Sequence, residues 1–528
     1  MGRACLGHAD APSLTPAVVV ATMPRMPSRT LTRRRFLVAG GAALSASMVR
    51  PGVARAQGRR GEIIAGLSER MLTLDPANHY SISATSVLRH VYDPLLDVTN
   101  DDKFAPALAE SWRALNNTTW RFTLRKGVSF HDGSPFTADS VVFTLKRVRD
   151  NGKLIKSFVY QDIEDVQKDG DHAVTVTTKR PFGSLPAHLT MLGMLPPSAG
   201  EEAFFQKPVG TGPFRFVSWT HGDRVELAAN ARYWKPGVPR VEKVTVRFIP
   251  ELSTRAAALR AGEIHVIDRV WPDMVQTLKA TPGVKVLDTP ALEAQRWHFQ
   301  LARETVKDPR VRKAVSLAIN RDVIIKDLLL GYARPVVSPI PPGLIGHTNL
   351  GQKPYDPEKA RQLLKEAGQS KLTLDFVLMK DLYPKQLEIA QAVAAMLGEV
   401  GVKVNIRNLE IATAREQRTA GNYDLFYSGW AHMPHDPDWY FGQWFTKAGA
   451  EKLTRFSDPR VEQLIAEGRV PDPKVRQQKY AEIERILWDE EPEIWPYYSV
   501  AIYAISDKLS NFEARRDYYV LLHEVGIA

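Results

Sequence analysis

Residues Lys371 to Leu409 read KLTLDFVLMKDLYPKQLEIAQAVAAMLGEVGVKVNIRNL. Lys371–Leu378 and Val402–Leu409 have the composition of strands, and the run from Pro384 to Leu397 that joins them reads as a helix. Strand, helix, strand is the repeating unit of an α/β layer, so this stretch decides the fold class. The same alternation extends outward. Gly61–Leu67 (GEIIAGL) is a short strand. Trp120–Leu124 alternates with period two, as a half-buried strand does, and Val244–Ile249 (VTVRFI) alternates likewise. Thr137–Asp150 is a helix, with Thr137 as its cap and Val141, Leu145 and Val148 on one face.

Asp-Pro recurs as a helix opener, at Asp308-Pro309, Asp356-Pro357, Asp458-Pro459 and Asp472-Pro473. The carboxylate accepts from free backbone N–H groups of the first turn, and proline at the first helical position sacrifices no bond. Gly331 and Gly368 close two of these helices. No fixed-period repeat or low-complexity tract interrupts the pattern.

The first 56 residues stand apart. TRRRFL at 32–37 precedes VAGGAALSASMV, an uncharged and mildly apolar run, and then Ala54-Arg55-Ala56 before Gln57. A basic segment, a short apolar segment and a small-x-small site make a secretory signal, cut between Ala56 and Gln57. Arg33-Arg34 followed by Phe36-Leu37 resembles the twin-arginine signal. The apolar run is too short to span a bilayer. Export without an anchor places the mature chain in the periplasm. Translation starts at Met1 or Met26.

This leader also explains the charge. The chain has 70 basic and 59 acidic residues, but eight Arg and one Asp lie in residues 1–56, which leaves 62 against 58. The mature chain therefore lacks the basic excess of a nucleic-acid binder. The one cysteine, Cys5, is in the leader, so disulfides, thiolate metal sites, cysteine nucleophiles and a lipidated cysteine are excluded from the mature protein.

Five segments taken in order resemble the family 5 extracellular solute-binding proteins of ABC importers, the peptide, opine and nickel-chelate group. They are Tyr92–Val148, with Ala109-Glu110-Ser111-Trp112 and Phe130-His131-Asp132-Gly133; PVGTGPFRF at Pro208–Phe216, with Asn230, Tyr233 and Trp234 after it; AGEIHVID at Ala261–Asp268; DPRVRKAVSLAINRDVI at Asp308–Ile324; and YDPEKARQLLKEAG at Tyr355–Gly368. The resemblance implies a two-lobed periplasmic-binding-protein fold of type II, with an extra subdomain and a hinge between the lobes. Lobe I would comprise 57–91, 210–297 and 490–528, its subdomain 92–209, and lobe II 298–489. It also implies a monomeric receptor without a cofactor, which passes a small solute to an inner-membrane permease and its ATPase subunits. Peptide is the family's default ligand, with an opine, an oligosaccharide or a metal chelate behind it.

One stretch is expected to reach the cleft: GWAHMPHDPDWYF, Gly429–Phe441. In the peptide-binding branch the pattern is Gly-Trp-x-x-Asp, and that aspartate pairs with the free amino group of the ligand. Met433 stands at the matching position, and a thioether cannot neutralise an ammonium. Asp436 is the substitute if the loop bends. Trp430 offers a flat stacking face, with His432 and Met433 as further lining, while Trp439 and Tyr440 pack beneath. The same stretch admits a metal reading through His432, His435, Asp436 and Asp438, although His-x-x-His across a proline loop is not a ligand spacing. Position after strands adds Arg70, whose guanidinium suits a carboxylate, then Tyr80 and His79, then Trp271. Gly210-Thr211-Gly212 marks a tight turn near the cleft, with Thr211 as a contact, and Trp297 reads as structural.

A competing class, an exported hydrolase, finds no GxSxG, SxxK or HExxH in the sequence. A peptide-holding chaperone would share the cleft but bind weakly and broadly.

Overall fold

The computed structural model describes residues 61–200, 202–451 and 453–528; the leader, with its arginine pair and cut site, lies outside them. The strands used below are β1 Glu62–Leu67, β2 Ala109–Asn116, β3 Thr119–Leu124, β4 Ile163–Lys168, β5 Ala173–Thr178, β6 Phe214–Thr220, β7 Arg224–Ala229, β8 Lys243–Phe248, β9 Val266–Ile267, β10 Val284–Phe299, β11 Thr373–Met379, β12 Lys403–Leu409, β13 Leu425–Ala431 and β14 Tyr498–Ser506. The helices are α1 Ile82–Val91, α2 Ala138–Asp150, α3 Pro272–Lys279, α4 Pro309–Leu317, α5 Pro357–Glu366, α6 Gln386–Glu399, α7 Asp438–Trp444, α8 Pro459–Gly468 and α9 Pro473–Glu490.

The opening stretch folds as read. β11 and β12 lie side by side and parallel, Thr373 opposite Lys403 through Met379 opposite Leu409, and α6 makes the crossover. The four Asp-Pro pairs read as helix openers all open helices. Asp308, Asp356, Asp458 and Asp472 each accept at 2.8 Å from a backbone N–H of the first turn. Gly331 does not close the helix that Asp308 opens. α4 stops at Leu317, and Asn320 caps a new turn through Asp322 N (3.1 Å) and Val323 N (3.3 Å). Asparagine competes for backbone groups in this way and so divides a helix.

The strands β12–β11–β13–β10–β14–β9–β1–β8–β7–β6 form one path of a twelve-stranded sheet; the two-residue strands Ala333–Arg334 and Glu493–Ile494 pair off that path. β10 is the 16-residue strand that serves both lobes. From Val284 to Pro290 it pairs with β14, and from Glu293 to Phe299 it pairs with β13, with an irregular register between Pro290 and Ala294. Ala291 belongs to the core around β1 and β8, whereas Trp297 and Phe299 belong to the core around β11 and β13. A single strand therefore threads two separate hydrophobic cores, which is the build of a two-lobed hinged protein.

The subdomain is an antiparallel sheet, β2–β3–β5–β4, covered by α2. Val141, Leu145 and Val148 of α2 pack on Phe122, Leu124, Val174 and Val176. Burying such side chains contributes about 1.5–3 kcal/mol each. Gly210 and Gly212 let the chain meet the end of α1. A Cβ on Gly210 would sit 2.0 Å from the Val91 carbonyl oxygen, and one on Gly212 2.5 Å from that of His90.

Candidate functional site

Parallel strands of an α/β sheet leave a crevice at their carboxyl ends, and ligands bind there. In this protein the C-terminal ends of β1, β9, β11 and β13 converge on a cavity of about 380 Å³. The residues after β1 bring Glu69, those after β9 bring Arg269 and Trp271, those after β11 bring Tyr383, and the end of β13 brings Gly429 and Ala431. Glu293 and Gln295 of β10 form the floor where that strand changes lobes, and Tyr80, Arg415, Tyr497 and Tyr518 complete the wall.

Two strand ends are locked together below the cavity. Asp268 accepts from Ser68 N at 2.9 Å and from Ser68 Oγ at 2.8 Å, and it lies 3.8 Å from Arg255. Burial pushes the Asp268 carboxyl up, against the pull of Arg255 and Arg269. Arg269 follows directly, with φ +47, a left-handed conformation that costs a non-glycine residue about 1–3 kcal/mol and is a mark of functional sites. Its guanidinium lies 3.3 Å from Glu69 and 5.4 Å from the Tyr518 ring centroid. Burial opposes its charge, but Glu69 and Glu293 outweigh burial and hold it above its ordinary value.

Opposite stands Glu293. Tyr518 donates to its Oε2 at 2.7 Å, and Gln295 Nε2 donates to its Oε1 at 3.2 Å. Burial raises its carboxyl, and Tyr518 and Arg269 oppose that shift. Gly429 is the neighbour that makes room: a Cβ there would lie 2.6 Å from Glu293 Oε1, 2.8 Å from Gln295 Nε2 and 3.0 Å from a Tyr383 ring carbon. Tyr383 in turn accepts from Gly429 N at 2.8 Å, and burial raises its hydroxyl to about 12. Tyr80 Oη, Arg269 Nε and Gln295 Oε1 are buried atoms without a hydrogen-bond partner among the described residues. The cavity thus offers two guanidinium groups, two carboxylates, free hydrogen-bonding atoms and aromatic walls.

The sequence-derived candidates divide. Tyr80 and Trp271 line the cavity. Arg70 is exposed and outside it; the guanidinium groups at the site are those of Arg269 and Arg415. Thr211 is buried and donates to Asp93 at 2.9 Å, so it serves the subdomain junction. Trp430 points to the opposite face of β13 from Gly429 and Ala431, because side chains alternate along a strand; it meets Trp439 at 5.3 Å and Tyr440 at 5.8 Å. His432 is 0% exposed beside Tyr440, and burial drops its imidazole to about 3. Met433 packs on the core around β1 and does not line the cavity.

Asp436 accepts from Arg476 of α9 at 2.8 Å and from Asp438 N at 2.9 Å, and it does not line the cavity. Pro437 stands at the N-cap of the short helix α7, which begins at Asp438. The four donors of the metal reading diverge. His435 bridges Asp102 and Asp517, and Asp438 binds Arg469 and Ser184. No group of three or more His, Cys, Asp or Glu among the described residues is placed to hold a metal. Trp297 is buried against Phe376 and Tyr427. The charged cavity residues missed were Glu69, Arg269, Glu293 and Arg415. Arg269 had a signal, since it directly follows AGEIHVID at a strand end; Glu293 sits inside a strand and had none.

Two cores on one shared strand, with a small polar cavity where that strand crosses, define a hinged receptor that encloses a small solute. The comparisons give the family. The model of bacterial extracellular solute-binding proteins, family 5 (Middle), matches residues 103–452, and the chain belongs to that family, the solute-binding proteins of ABC importers. The glutathione-binding protein GsiB of Pectobacterium atrosepticum is 29% identical over 503 residues, 92% of this chain and 96% of that one. Among solved structures, the periplasmic binding protein DppA of Helicobacter pylori in complex with the peptide STSA is 26% identical, with TM-score 0.76 over 88% of this chain and 98% of the other. CtaP of Listeria monocytogenes, 23% identical with TM-score 0.80 over 89% and 99%, shares the fold. No helix among the described residues is long and apolar enough to cross a membrane.

Proposed function

We propose that this receptor captures a small peptide or peptide-like zwitterion, with the ligand's ammonium at Glu293 and Glu69 and its carboxylate at Arg269 and Arg415. The observation that carries the reading is Arg269, paired with Glu69 at 3.3 Å and close enough to Glu293 for its charge to be felt, at a 380 Å³ cavity walled by tyrosines and Trp271. The volume is at the small end of ligand sites, about 300–1,000 Å³. Arginine suits a carboxylate by its fork, and a buried ammonium requires an acid. The carboxylate absent at Met433 is supplied from β10 instead. The GsiB and DppA likenesses, with glutathione and a tetrapeptide in their names, support the same class.

In this account the protein is exported through the twin-arginine signal and cut before Gln57. It acts as a periplasmic monomer without turnover, and hands its solute to the permease and ATPase of an importer. Calorimetric titration of the mature chain with di- and tripeptides tests the reading. Saturable one-to-one binding that Arg269→Ala and Glu293→Ala each weaken at least tenfold is the expected result. Binding that ignores both substitutions would place the ligand elsewhere.

A further inference from the structure

A second and larger cavity, about 680 Å³, lies between the subdomain and α7–α8. Phe158, Phe182 and His188 line it from the subdomain side, and Trp439, Gln443 and Arg469 from the other. Its wall toward the central cavity is one aromatic layer. Tyr80 lines the central cavity, and its ring centroid is 5.0 Å from that of Trp439 and 6.0 Å from that of Phe158, which both line the second cavity.

This chamber has built walls. Ser184 Oγ donates to Asp438 Oδ2 at 3.0 Å, Arg469 Nε donates to Asp438 Oδ1 at 2.9 Å, and Gly183 N donates to the Arg469 carbonyl at 2.6 Å. A Cβ on Gly183 would sit 2.1 Å from the Val470 carbonyl oxygen, so the two backbones touch at the rim. Three buried polar atoms of residues lining the two cavities, Tyr80 Oη, Trp439 Nε1 and Gln443 Oε1, have no hydrogen-bond partner among the described residues. Native proteins rarely leave buried polar atoms unpaired unless a ligand or water completes them. A dry apolar seam would not be built with donors and acceptors of this kind.

We propose that the second cavity is an extension of the binding site, in which the solute held at Arg269 and Glu293 passes the Tyr80–Trp439 layer and places an apolar or aromatic end group in the chamber. This rests on the zwitterion reading above. The solute would be elongated: charged where the two lobes cross, flat and hydrophobic at its far end, with a donor for Gln443 Oε1. Trp439 and Phe158 supply stacking faces for such a group, and Tyr80 becomes a residue that sets ligand length.

The test uses the mature chain and three peptides, Ala-Ala, Ala-Ala-Phe and Phe-Ala-Ala, by calorimetric titration. Ala466 and Ala448 both line the chamber and are exposed, so Ala466→Trp and Ala448→Trp fill it from two positions without burdening a core. The wild type should bind at least one of the extended peptides tenfold or more tighter than Ala-Ala. Both filled variants should lose that gain while holding Ala-Ala within twofold, with melting temperatures near the wild type. Ala-Ala binding with no gain from phenylalanine, or a gain that both variants retain, overturns the chamber and leaves the central reading standing. Failure of all three peptides overturns the zwitterion reading and the chamber together.

Discussion

Replacing Gly429 by alanine adds one methyl group to the cavity wall, and the structure says what that methyl meets. It would lie 2.6 Å from Glu293 Oε1, 2.8 Å from Gln295 Nε2 and 3.0 Å from a Tyr383 ring carbon. All three are ends of movable side chains, so the fold can yield. The shift must disturb the 2.7 Å bond from Tyr518 to Glu293 and the 2.8 Å bond from Gly429 N to Tyr383. Overpacking costs about 1–3 kcal/mol, and a hydrogen bond to a charged group is worth about 1.5–3 kcal/mol. Those contacts are already present without ligand, so part of the cost falls on stability and the rest on binding, where Glu293 must hold its place against the ligand. Gly429→Ala should therefore weaken binding by about 2 kcal/mol, roughly 30-fold, while the melting temperature falls by only a few degrees. The assay is calorimetric titration beside thermal denaturation, using the solute released from the wild type. Affinity within twofold of wild type would refute the claim that Glu293 and Gly429 share one wall of the ligand site.

Three further outcomes follow from single side chains. Arg70→Ala should leave affinity unchanged in the same titration, because Arg70 is exposed and the cavity's guanidinium groups are those of Arg269 and Arg415. Glu484 is fully buried, accepts from Ile340 N at 2.8 Å, and burial pushes its carboxyl from 4.5 to about 8. The folded state then holds a proton that the unfolded state releases, so its contribution is complete below pH 4.5 and lost as pH rises through about 8, at about 1.4 kcal/mol per unit. Glu484→Gln should flatten that decline in denaturant unfolding between pH 5 and 8; parallel curves for the two proteins would contradict it. His435 is set against Asp102 at 3.1 Å and Asp517 at 3.4 Å, with Arg515 and Arg516 on those acids and Arg89, Asp97, Tyr519 and His432 nearby. Burial disfavours its imidazolium, but the two aspartates prevail and raise it above 6.5. Its contribution is complete below 6.5 and lost as pH rises through the raised value, so the stability difference between wild type and His435→Gln should be larger at pH 5.5 than at pH 9. A difference that grows with pH would mean the imidazole acts neutral.

Local signals carried well from sequence to fold. Each Asp-Pro cap is an interaction within four residues, and all four formed. The strand–helix–strand stretch at 371–409 formed because its crossover has one favoured course. Val244–Ile249 shows what local pattern misses. Its alternation reads as half-buried, yet Val244, Thr245 and Val246 are all buried, because β8 lies inside the sheet between β1 and β7. Position in a sheet is set by partners 180 residues away.

The site was half legible for the same reason. Tyr80 and Trp271 follow strand ends, where a single sequence says to look. Glu293 lies mid-strand and becomes a site residue only because β10 changes lobes there. GWAHMPHDPDWYF looked like the pocket because it concentrates polar and aromatic groups. Alternation along β13 turns Trp430 away while Gly429 and Ala431 face the cavity. The polar members beyond are spent on partners elsewhere in the fold: Asp436 on Arg476, Asp438 on Arg469, and His435 on Asp102 and Asp517.

The most direct test is mass spectrometry of the mature chain, purified under native conditions and then denatured, beside the same chain carrying Arg269→Ala and Glu293→Ala. One equivalent of a small molecule with both amino and carboxylate groups, released by the wild type and missing from the double variant, is the predicted result. A molecule retained by both proteins, or one lacking either charge, would contradict capture between Arg269 and Glu293.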